Sequence, residues 1–388
     1  MKQKIAIYGA TGTIGDNALA LIDAHPERFE ITLLTAHTNI KKLAALTQKY
    51  MPPYIVVGQG HKQDFHNTLP DYKGEVLEGE AGLLEAAQHE TDMALMAIVG
   101  FAALPPTLAL QKQGTTIALA NKECLVVAGE LIMAGVNDKA LLLPVDSEHN
   151  AIFQLLQNKN QAEVEKIVIT ASGGPFRTYS RQQMESVTPA QAIAHPNWRM
   201  GEKISVDSAT LMNKGLELIE AHHLFAIAPD KLDVLVHQES VVHGLVYFND
   251  GAVLAQKSLP DMRIPLASVL AYPDRIASTV PPLDLAAIGT LHFEEVDRGQ
   301  FPCLALAEQA LESGGFAPTI LNAANEVAVA AFLATQIGFL DIERVVAESL
   351  SSAPVSTATP PAHHSLEAII TCDTETRKFC TNLIQNRL

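Results

Sequence analysis

The order of elements at the N-terminus constrains the fold of this chain more than any other feature. Lys4-Ile-Ala-Ile-Tyr8 is a short apolar run, Gly9-Ala-Thr-Gly12-Thr-Ile-Gly15 follows, and an apolar-periodic segment continues to about Ala24. Strand, glycine turn and helix in that order match a dinucleotide-binding unit. The glycines permit a tight turn, and the helix N-terminus offers N–H groups without intrahelical partners to a pyrophosphate. The spacing GxxGxxG differs from the commoner GxGxxG, so a tight βα turn with no ligand is the competing reading. Further apolar runs at Phe29–Thr35, Tyr54–Val57, Met93–Ile98 and Thr115–Leu119 alternate with helical segments. This alternation predicts a doubly wound parallel sheet, whose ligands gather beyond the C-terminal ends of its strands.

The residues at those ends carry the chemistry. Phe29–Thr35 runs into Ala36-His37-Thr38-Asn39 with Lys41 and Lys42 close behind. An NAD site places an acid here for the ribose 2′-hydroxyl. Its absence favours NADP, although two lysines that merely solvate a helix face would look the same. Asn121-Lys122-Glu123 follows the run ending at Leu119. Leu141–Val145 is read as a strand delivering Asp146 and Glu148, two residues apart and therefore on one side of an extended backbone. Carboxylates so close disfavour each other's ionisation unless a cation holds them, and oxygen donors suit Mg²⁺ or Mn²⁺. The alternative has Asp146 or Ser147 capping a helix over Asn150–Asn158.

The stretch His195–Glu217 is too polar for a core segment and too varied for a plain surface. Ser208, Asn213 and Lys214 supply a hydroxyl, an amide and an ammonium, a set suited to a phosphate ester. On a helix over Met212–Phe225, Glu217 shares a face with Asn213 and neighbours Lys214. A carboxylate beside phosphate ligands calls for a metal ion between them and a partner carboxylate elsewhere; an ordinary surface Lys–Glu pair is the other possibility. Lys166–Ser172 reads as a strand opening into Gly173-Gly174-Pro175, where backbone can approach an anion closely; a plain turn competes with that. Trp198, the lone tryptophan, sits outside any apolar periodicity. It is expected on a flap that closes over substrate, with His195 reaching toward the phosphate.

The chain has 388 residues, so two or three domains are expected. The region 1–146 is assigned to an N-terminal Rossmann-like NADP-binding domain. The region 147–275 is assigned to a central α+β catalytic domain, in which two alternating runs within Leu232–Leu254 meet at Asn249-Asp-Gly251, a hairpin signal. The proline-punctuated stretch 276–300 reads as a linker, and 301–388 as a C-terminal helical bundle. Its helices are placed at Pro302–Ser313, Pro318–Gln336 and Asp341–Leu350, with two more beginning at Ser365 and Asp373 and a mobile loop over Ser351–Pro361. A net charge of −16 argues against nucleic acid or anionic membrane as partners. An anionic substrate then needs locally concentrated donors, which 195–217 supplies. The four cysteines form no CxxC pair, no apolar run approaches the ~18 residues of a membrane span, and no basic-then-apolar leader opens the chain. The cytoplasm is therefore expected.

Six ordered segments together resemble one family. They are Gly-Ala-Thr-Gly-Thr-Ile-Gly (9–15), Asn-Lys-Glu (121–123), Pro-Val-Asp-Ser-Glu-His-Asn-Ala-Ile-Phe-Gln (144–154), Ser-Gly-Gly-Pro-Phe-Arg (172–177), His-Pro-Asn-Trp (195–198) and Asp-Ser-Ala-Thr-Leu-Met-Asn-Lys-Gly-Leu-Glu (207–217). The likeness, which continues through 260–263 and 321–326, is to 1-deoxy-D-xylulose 5-phosphate reductoisomerase, an enzyme of isoprenoid precursor synthesis. The resemblance implies isomerisation and NADPH-dependent reduction of that sugar phosphate to 2-C-methyl-D-erythritol 4-phosphate, in a homodimer. It implies a divalent metal, Mg²⁺ or Mn²⁺ with Co²⁺ admissible, held by Asp146, Glu148 and Glu217. Phosphate contacts would come from Ser172, His195, Ser208, Asn213 and Lys214, and sugar contacts from Lys122, Ser147, Glu148, Trp198 and Glu217, with Lys122 and the three carboxylates catalytic. Cofactor contacts would come from Thr11, Gly12, Thr13, Ile14, His37, Thr38, Asn39, Asn121, Glu123 and Gly201.

The chain departs from the family pattern at several points. Ala10 and Thr13 replace serines, Ala-His-Thr-Asn (36–39) replaces a Gly-Lys-Asn-type turn, and Arg199 stands where serine is usual. His-Gln-Glu-Ser (237–240) replaces His-Pro-Gln-Ser, at a position read as well away from the chemistry. Two rival readings are an NADP-dependent semialdehyde dehydrogenase, which would need Cys124 as nucleophile, and a dinucleotide-sensing regulator without turnover.

Overall fold

A computed structural model of the chain describes residues 1–194, 201–352 and 365–387. It divides into two compact units. The first comprises Met1–Cys124, Ala134–Asn150 and Asp261–Pro281, and the second Leu125–Met133, Ala151–Pro260 and Pro282–Leu388.

The first unit is built on seven strands: β1 (Gln3–Tyr8), β2 (Phe29–Ala36), β3 (Tyr54–Val57), β4 (Glu75–Glu78), β5 (Met93–Met96), β6 (Thr116–Leu119) and β7 (Leu142–Pro144). They pair in the order β4-β3-β2-β1-β5-β6-β7, parallel throughout. Near-continuous apolar sequence is what a sheet covered on both faces demands, and Ile5, Ile7, Leu34, Ile55, Leu95 and Ile117 are all fully buried. The chain winds outward from β1 to β4, then returns to place β5 on the other side of β1. The strand order therefore reverses beside β1, and the glycine turn lies at this switch point. The helix Thr13–Ala24 packs Ala18, Leu19, Leu21 and Ile22 inward. The helix Arg263–Leu270 lies against it and buries Leu266 and Leu270. A segment from within the region 147–275 thus completes the first unit, across the boundary expected from the sequence.

The second unit carries a mixed sheet of β8 (Val164–Ala171), β9 (Leu232–Val236), β10 (Val242–Phe248), β11 (Val253–Lys257) and β12 (Glu294–Glu295), ordered β11-β10-β8-β9-β12. Only β8 and β9 run parallel, so both point their C-terminal ends to the same edge. The β10–β11 hairpin turns through Asn249-Asp-Gly251, where Gly251 takes φ +85°. β12 lies inside the stretch read as a linker and pairs Glu294 with Val236. Ile169, Val234, Leu216, Ile219, Leu304, Leu321 and Phe332 share one core between sheet and helices. The helices Pro302–Ser313, Ala317–Leu333, Asp341–Ser352 and Leu366–Arg387 make up the C-terminal region. The last is one helix where the sequence suggested two. Asp373 does not cap a second helix; it accepts from Arg377 Nε at 2.7 Å one turn later, and Arg377 also reaches Glu326 at 2.5 Å. The loop expected over Ser351–Pro361 lies, from 353 onward, outside the described residues.

Candidate active site

In the first unit the glycine turn is a cradle made of backbone. Gly9 has φ +92°, and a Cβ there would lie 2.5 Å from the carbonyl oxygen of Ala97, so only glycine fits. Gly9 N donates to Thr35 Oγ1 at 2.8 Å and Ala10 N to Thr35 O at 2.9 Å, stitching the turn to the end of β2. A Cβ on Gly15 would meet Ala10 O at 2.5 Å, which closes the turn onto its helix. Gly12 caps that helix in extended conformation, with Gly12 and Thr13 exposed and Thr11 and Ile14 half-buried. His37, Thr38 and Asn39 are exposed at the neighbouring end of β2. Lys42, read as a candidate for the 2′-phosphate or a solvated face, instead bonds Thr11 O at 3.0 Å and Asp16 Oδ2 at 2.6 Å.

At the ends of β6 and β7 the side chains are interlocked. Asn121 Nδ2 donates to Ile98 O (2.8 Å) and Gly100 O (3.0 Å), while its Oδ1 accepts from Cys124 N at 2.8 Å. Cys124 is fully buried, unsuited to the exposed nucleophile a semialdehyde dehydrogenase needs. Lys122 Nζ lies 2.5 Å from Asp146 Oδ2. β7 stops at Pro144 and the next helix runs over Ser147–Leu156, so the extended reading of 146–148 is corrected. Asp146 O accepts from Asn150 N at 2.8 Å, as a helix-start residue does, and Glu148 belongs to the first turn. Ser147 Oγ donates to Glu148 Oε2 at 2.6 Å. A carboxylate in a first helical turn is favoured by the helix dipole.

In the second unit β8 opens into Ser172-Gly173-Gly174, with Gly173 and Gly174 at φ +84° and +67°. Ser172 Oγ accepts from Gly174 N at 3.2 Å. A Cβ on Gly174 would lie 2.7 Å from Ser208 O, so the turn sits directly against Ser208 on the helix Glu202–Ala209. That helix is anchored by the buried Asp207, which accepts from Lys203 (2.9 Å) and from Asn325 of the C-terminal helices (2.7 Å). Leu211, in left-handed conformation at φ +59°, breaks it and starts Met212–Phe225. Asn213 and Lys214 fall in the first turn of this second helix. Lys214 Nζ meets Glu217 Oε2 at 2.6 Å, and Asn213 Nδ2 donates to Glu217 Oε1. Lys214 and Glu217 are only 6% and 1% exposed, which removes the surface-pair reading. Burying two charges costs desolvation that their attraction need not recover, so the pair is poorly explained as a helix stabiliser. His195 and Trp198 lie outside the described residues, while Gly201 caps the helix Glu202–Ala209 and accepts from Ser205 Oγ at 3.0 Å.

One segment set aside on sequence grounds belongs beside this loop. The run 237–240 follows β9, and Gln238 and Glu239 line a cleft of about 440 Å³ together with Ser172, Gly174 and Arg177. Arg177 Nη2 donates to Gln238 Oε1 at 2.8 Å. His292 and His237 lie 2.5 and 3.1 Å from the two oxygens of Glu239. Burial pushes the Glu239 carboxyl up; the His292 ring and backbone donors, with the charge of His237, outweigh it and hold the carboxyl at about 2. Expecting 237–240 to be remote was wrong because sequence distance hides that β8 and β9 end at one edge. Two parallel runs each followed by polar residues were the available signal.

Residues 5–129 match the family described as 1-deoxy-D-xylulose 5-phosphate reductoisomerase, residues 142–225 its C-terminal domain, and residues 258–379 a DXP reductoisomerase C-terminal domain. A 1-deoxy-D-xylulose 5-phosphate reductoisomerase from Rhodospirillum centenum is 49% identical over 98% of this chain and 94% of its own length. That from Ralstonia nicotianae is 50% identical over 98% of both. The structure of the Zymomonas mobilis enzyme in complex with NADPH superposes with a TM-score of 0.92 at 43% identity, covering 100% of both chains. A DOX-P reductoisomerase in complex with NADPH, fosmidomycin and magnesium gives 0.94 at 43% identity, covering 99% of this chain and 98% of its own.

Proposed function

The chain belongs to the 1-deoxy-D-xylulose 5-phosphate reductoisomerase family, and from that premise we propose how its own residues perform the family's reaction. The reaction is the NADPH- and divalent-metal-dependent isomerisation and reduction of 1-deoxy-D-xylulose 5-phosphate to 2-C-methyl-D-erythritol 4-phosphate. The observation that carries the assignment is the pairing of Ser172-Gly173-Gly174 with Ser208 in the unit that also presents Asn213 and Lys214.

Ser172, Ser208, Asn213 and Lys214 hold the phosphate, with His195 as a further donor. Fixing the substrate there, remote from the reacting carbons, positions it for the chemistry. Asp146, Glu148 and Glu217 hold the divalent cation. The donor set fits, because carboxylate oxygens are hard donors of the kind Mg²⁺ and Mn²⁺ favour. Lewis-acid stabilisation of oxyanion charge on the sugar is what such a cation supplies. Lys122, Ser147, Glu148 and Trp198 contact the carbon skeleton.

The backbone cradle at Gly9–Gly15, with no side-chain volume at Gly9 or Gly15, fits a pyrophosphate. Thr11, Gly12, Thr13, Ile14, His37, Thr38, Asn39, Asn121, Glu123 and Gly201 complete the cofactor contacts. Hydride donation is the chemistry the nicotinamide brings. In this reading 1–146 is chiefly the cofactor domain and 147–275 chiefly the catalytic and dimerisation domain, with 261–281 belonging to the first unit and β12, within the expected linker 276–300, to the second unit's sheet before the helical domain 301–388.

The chain acts as a cytoplasmic homodimer. Four free, buried cysteines support the compartment. The edge strand β11, with Val253 and Leu254 at 45% and 40% exposure, supports association through the second unit's sheet. The decisive assay follows the loss of NADPH absorbance on adding 1-deoxy-D-xylulose 5-phosphate, with Mg²⁺ and with a chelator. Turnover only with the cation is expected, with Asp146→Asn and Glu217→Gln nearly inactive but still binding NADPH. Cation-independent turnover would remove the metal assignment, and a monomer in sedimentation would remove the dimer.

A further inference from the structure

We infer that Arg177 is a positioning residue for the substrate phosphate, and that Gln238, supported by Glu294, is the acceptor that holds it. The inference rests on the reading that Ser172 and Ser208 take that phosphate. It starts from the space above Gly173. A Cβ built there would lie 2.4 Å from Arg177 Cδ and 3.0 Å from Cγ, so the arginine stem occupies the volume a side chain at 173 would fill. The stem therefore lies directly against the backbone that separates Ser172 from Gly174. Gly174 in turn sits against Ser208 O. Movement of the stem is thereby coupled to the spacing of the two serines.

The other end of Arg177 is pinned by residues from two further segments. Nη2 donates to Gln238 Oε1 at 2.8 Å, and Nη1 to the Glu294 oxygens at 3.2 and 3.3 Å. These acceptors arrive together because β8 and β9 end at one sheet edge and β12 pairs Glu294 with Val236, the residue before His237. The Glu294 side chain is 55% exposed, so water screens that ion pair and the shorter Gln238 bond is the stronger restraint. A guanidinium can fork to two acceptors in fixed geometry, which an ammonium cannot. Gln238 also stands at one of the two positions where His-Gln-Glu-Ser departs from His-Pro-Gln-Ser. Proline has no side-chain acceptor, so this restraint belongs to the present chain and not to the pattern it resembles.

Steady-state kinetics of the full-length enzyme, with wild type in parallel, test the inference. Freeing the loop removes binding shared by ground and transition states, so Arg177→Ala should raise the KM for the sugar phosphate about tenfold or more, and Gln238→Ala about three- to tenfold. In both, kcat and the KM for NADPH should stay within about twofold of wild type. Arg177→Lys should not restore binding, and Glu294→Gln should have the least effect. Competitive inhibition by inorganic phosphate should weaken in step with the substrate KM, which a loss confined to contacts with the carbon skeleton would not produce. Melting curves identify any variant that fails to fold, and Gln238→Ala, which leaves the Arg177 stem in place, then carries the test. Wild-type KM and phosphate inhibition in folded Gln238→Ala and Arg177→Ala would overturn the inference. So would losses in kcat and NADPH affinity as large as those in substrate KM. If wild type itself showed no turnover, the functional reading would fail instead. Calorimetric titration of inorganic phosphate would then decide the loop's role separately: weaker binding in Gln238→Ala upholds it and equal binding overturns it.

Discussion

Under the proposed assignment, the two glycine loops, Gly9–Gly15 in the first unit and Ser172–Gly174 in the second, would hold their anions in different ways. In the first, glycine brings backbone against backbone: Gly9 against Ala97 and Gly15 against Ala10. The donors it leaves are the N–H groups of a helix start, which suit a pyrophosphate read by shape. In the second, Gly174 brings the loop against Ser208, and the donors around it are hydroxyl, amide and ammonium groups from separate segments. Side chains can match a compact phosphate monoester more selectively than backbone alone. Their placement depends on tertiary neighbours such as Arg177 and Asp207, so the second loop is more exposed to distant substitutions.

Glycine substitutions give the largest test of this contrast. Gly9→Ala adds a Cβ 2.5 Å from a backbone oxygen at φ +92°, and neither partner can yield cheaply. NADPH affinity should fall by about a hundredfold or more, the equivalent of roughly 3 kcal/mol of strain and lost contacts. Gly174→Ala should mirror it, weakening substrate and leaving NADPH almost untouched. Isothermal titration with each ligand separates the two. If either variant weakened both ligands equally, the division of labour between the loops would be wrong.

Lys214→Ala is the next largest effect. It removes a charged donor, a class worth about 1.5–3 kcal/mol, and so should weaken substrate binding by one to two orders of magnitude. It also leaves the buried Glu217 without its ammonium partner at 2.6 Å. Lys214→Gln should recover part of the folding stability but little of the substrate affinity. Unchanged substrate affinity in Lys214→Ala would take the ammonium out of the phosphate site.

The contrast also explains what the sequence could reveal. The first loop was legible because it is local: an apolar strand, glycines and an apolar helix follow one another without interruption. The helix Met212–Phe225 and the helix Pro302–Ser313, stopped by Gly314-Gly315, were legible for the same reason. Glu148 was misplaced because the helix starts at Ser147, ahead of the start expected at Asn150. β12 has only two residues and exists because β9 offers it a partner, so no periodicity could announce it. Arg263–Leu270 is a helix in a proline-containing segment whose burial comes from Thr13–Ala24, far away in sequence. The neighbourhood of 237–240 follows from strand order alone.

Cofactor choice offers a smaller effect, seated in the first loop. No acid occupies 35–39, so NADPH should exceed NADH in kcat/KM. Lys42 is bound to Thr11 O and Asp16, so its substitution should act through the shape of the turn. Lys42→Ala is expected to lower kcat/KM by a few-fold for both cofactors, through loss of a bond worth about 1 kcal/mol after exposure is allowed for. A loss confined to NADPH would mean that Lys42 swings away to meet the 2′-phosphate. A wild-type preference for NADH would show that the end of β2 was misread.

Acid should disturb the second loop's support, and His223 is the reason. It lies in the last turn of Met212–Phe225, the helix that carries Asn213, Lys214 and Glu217. Its ring lies so close to Gly129 that a Cβ there would fall 2.1 Å away. A helix C-terminus ordinarily favours a protonated histidine. Here burial, with the neighbouring His222 adding repulsion, lowers the pKa from 6.5 to about 4. The folded state therefore holds the ring neutral at a pH where the unfolded chain binds a proton. The stability at stake is present above pH 6.5 and is lost as the pH falls from there toward 4. By pH 5 the loss should be about 2 kcal/mol, or a Tm lowered by roughly 2–4 °C. His223→Gln cannot take up the proton and should flatten this part of the pH dependence. Hydrogen exchange corrected for its intrinsic rate should show protection falling in 212–225 more than in 13–24 between pH 7 and 5. Equal losses in both helices, or the same pH dependence in His223→Gln, would mean that acid acts elsewhere and that the second loop is no more sensitive than the first.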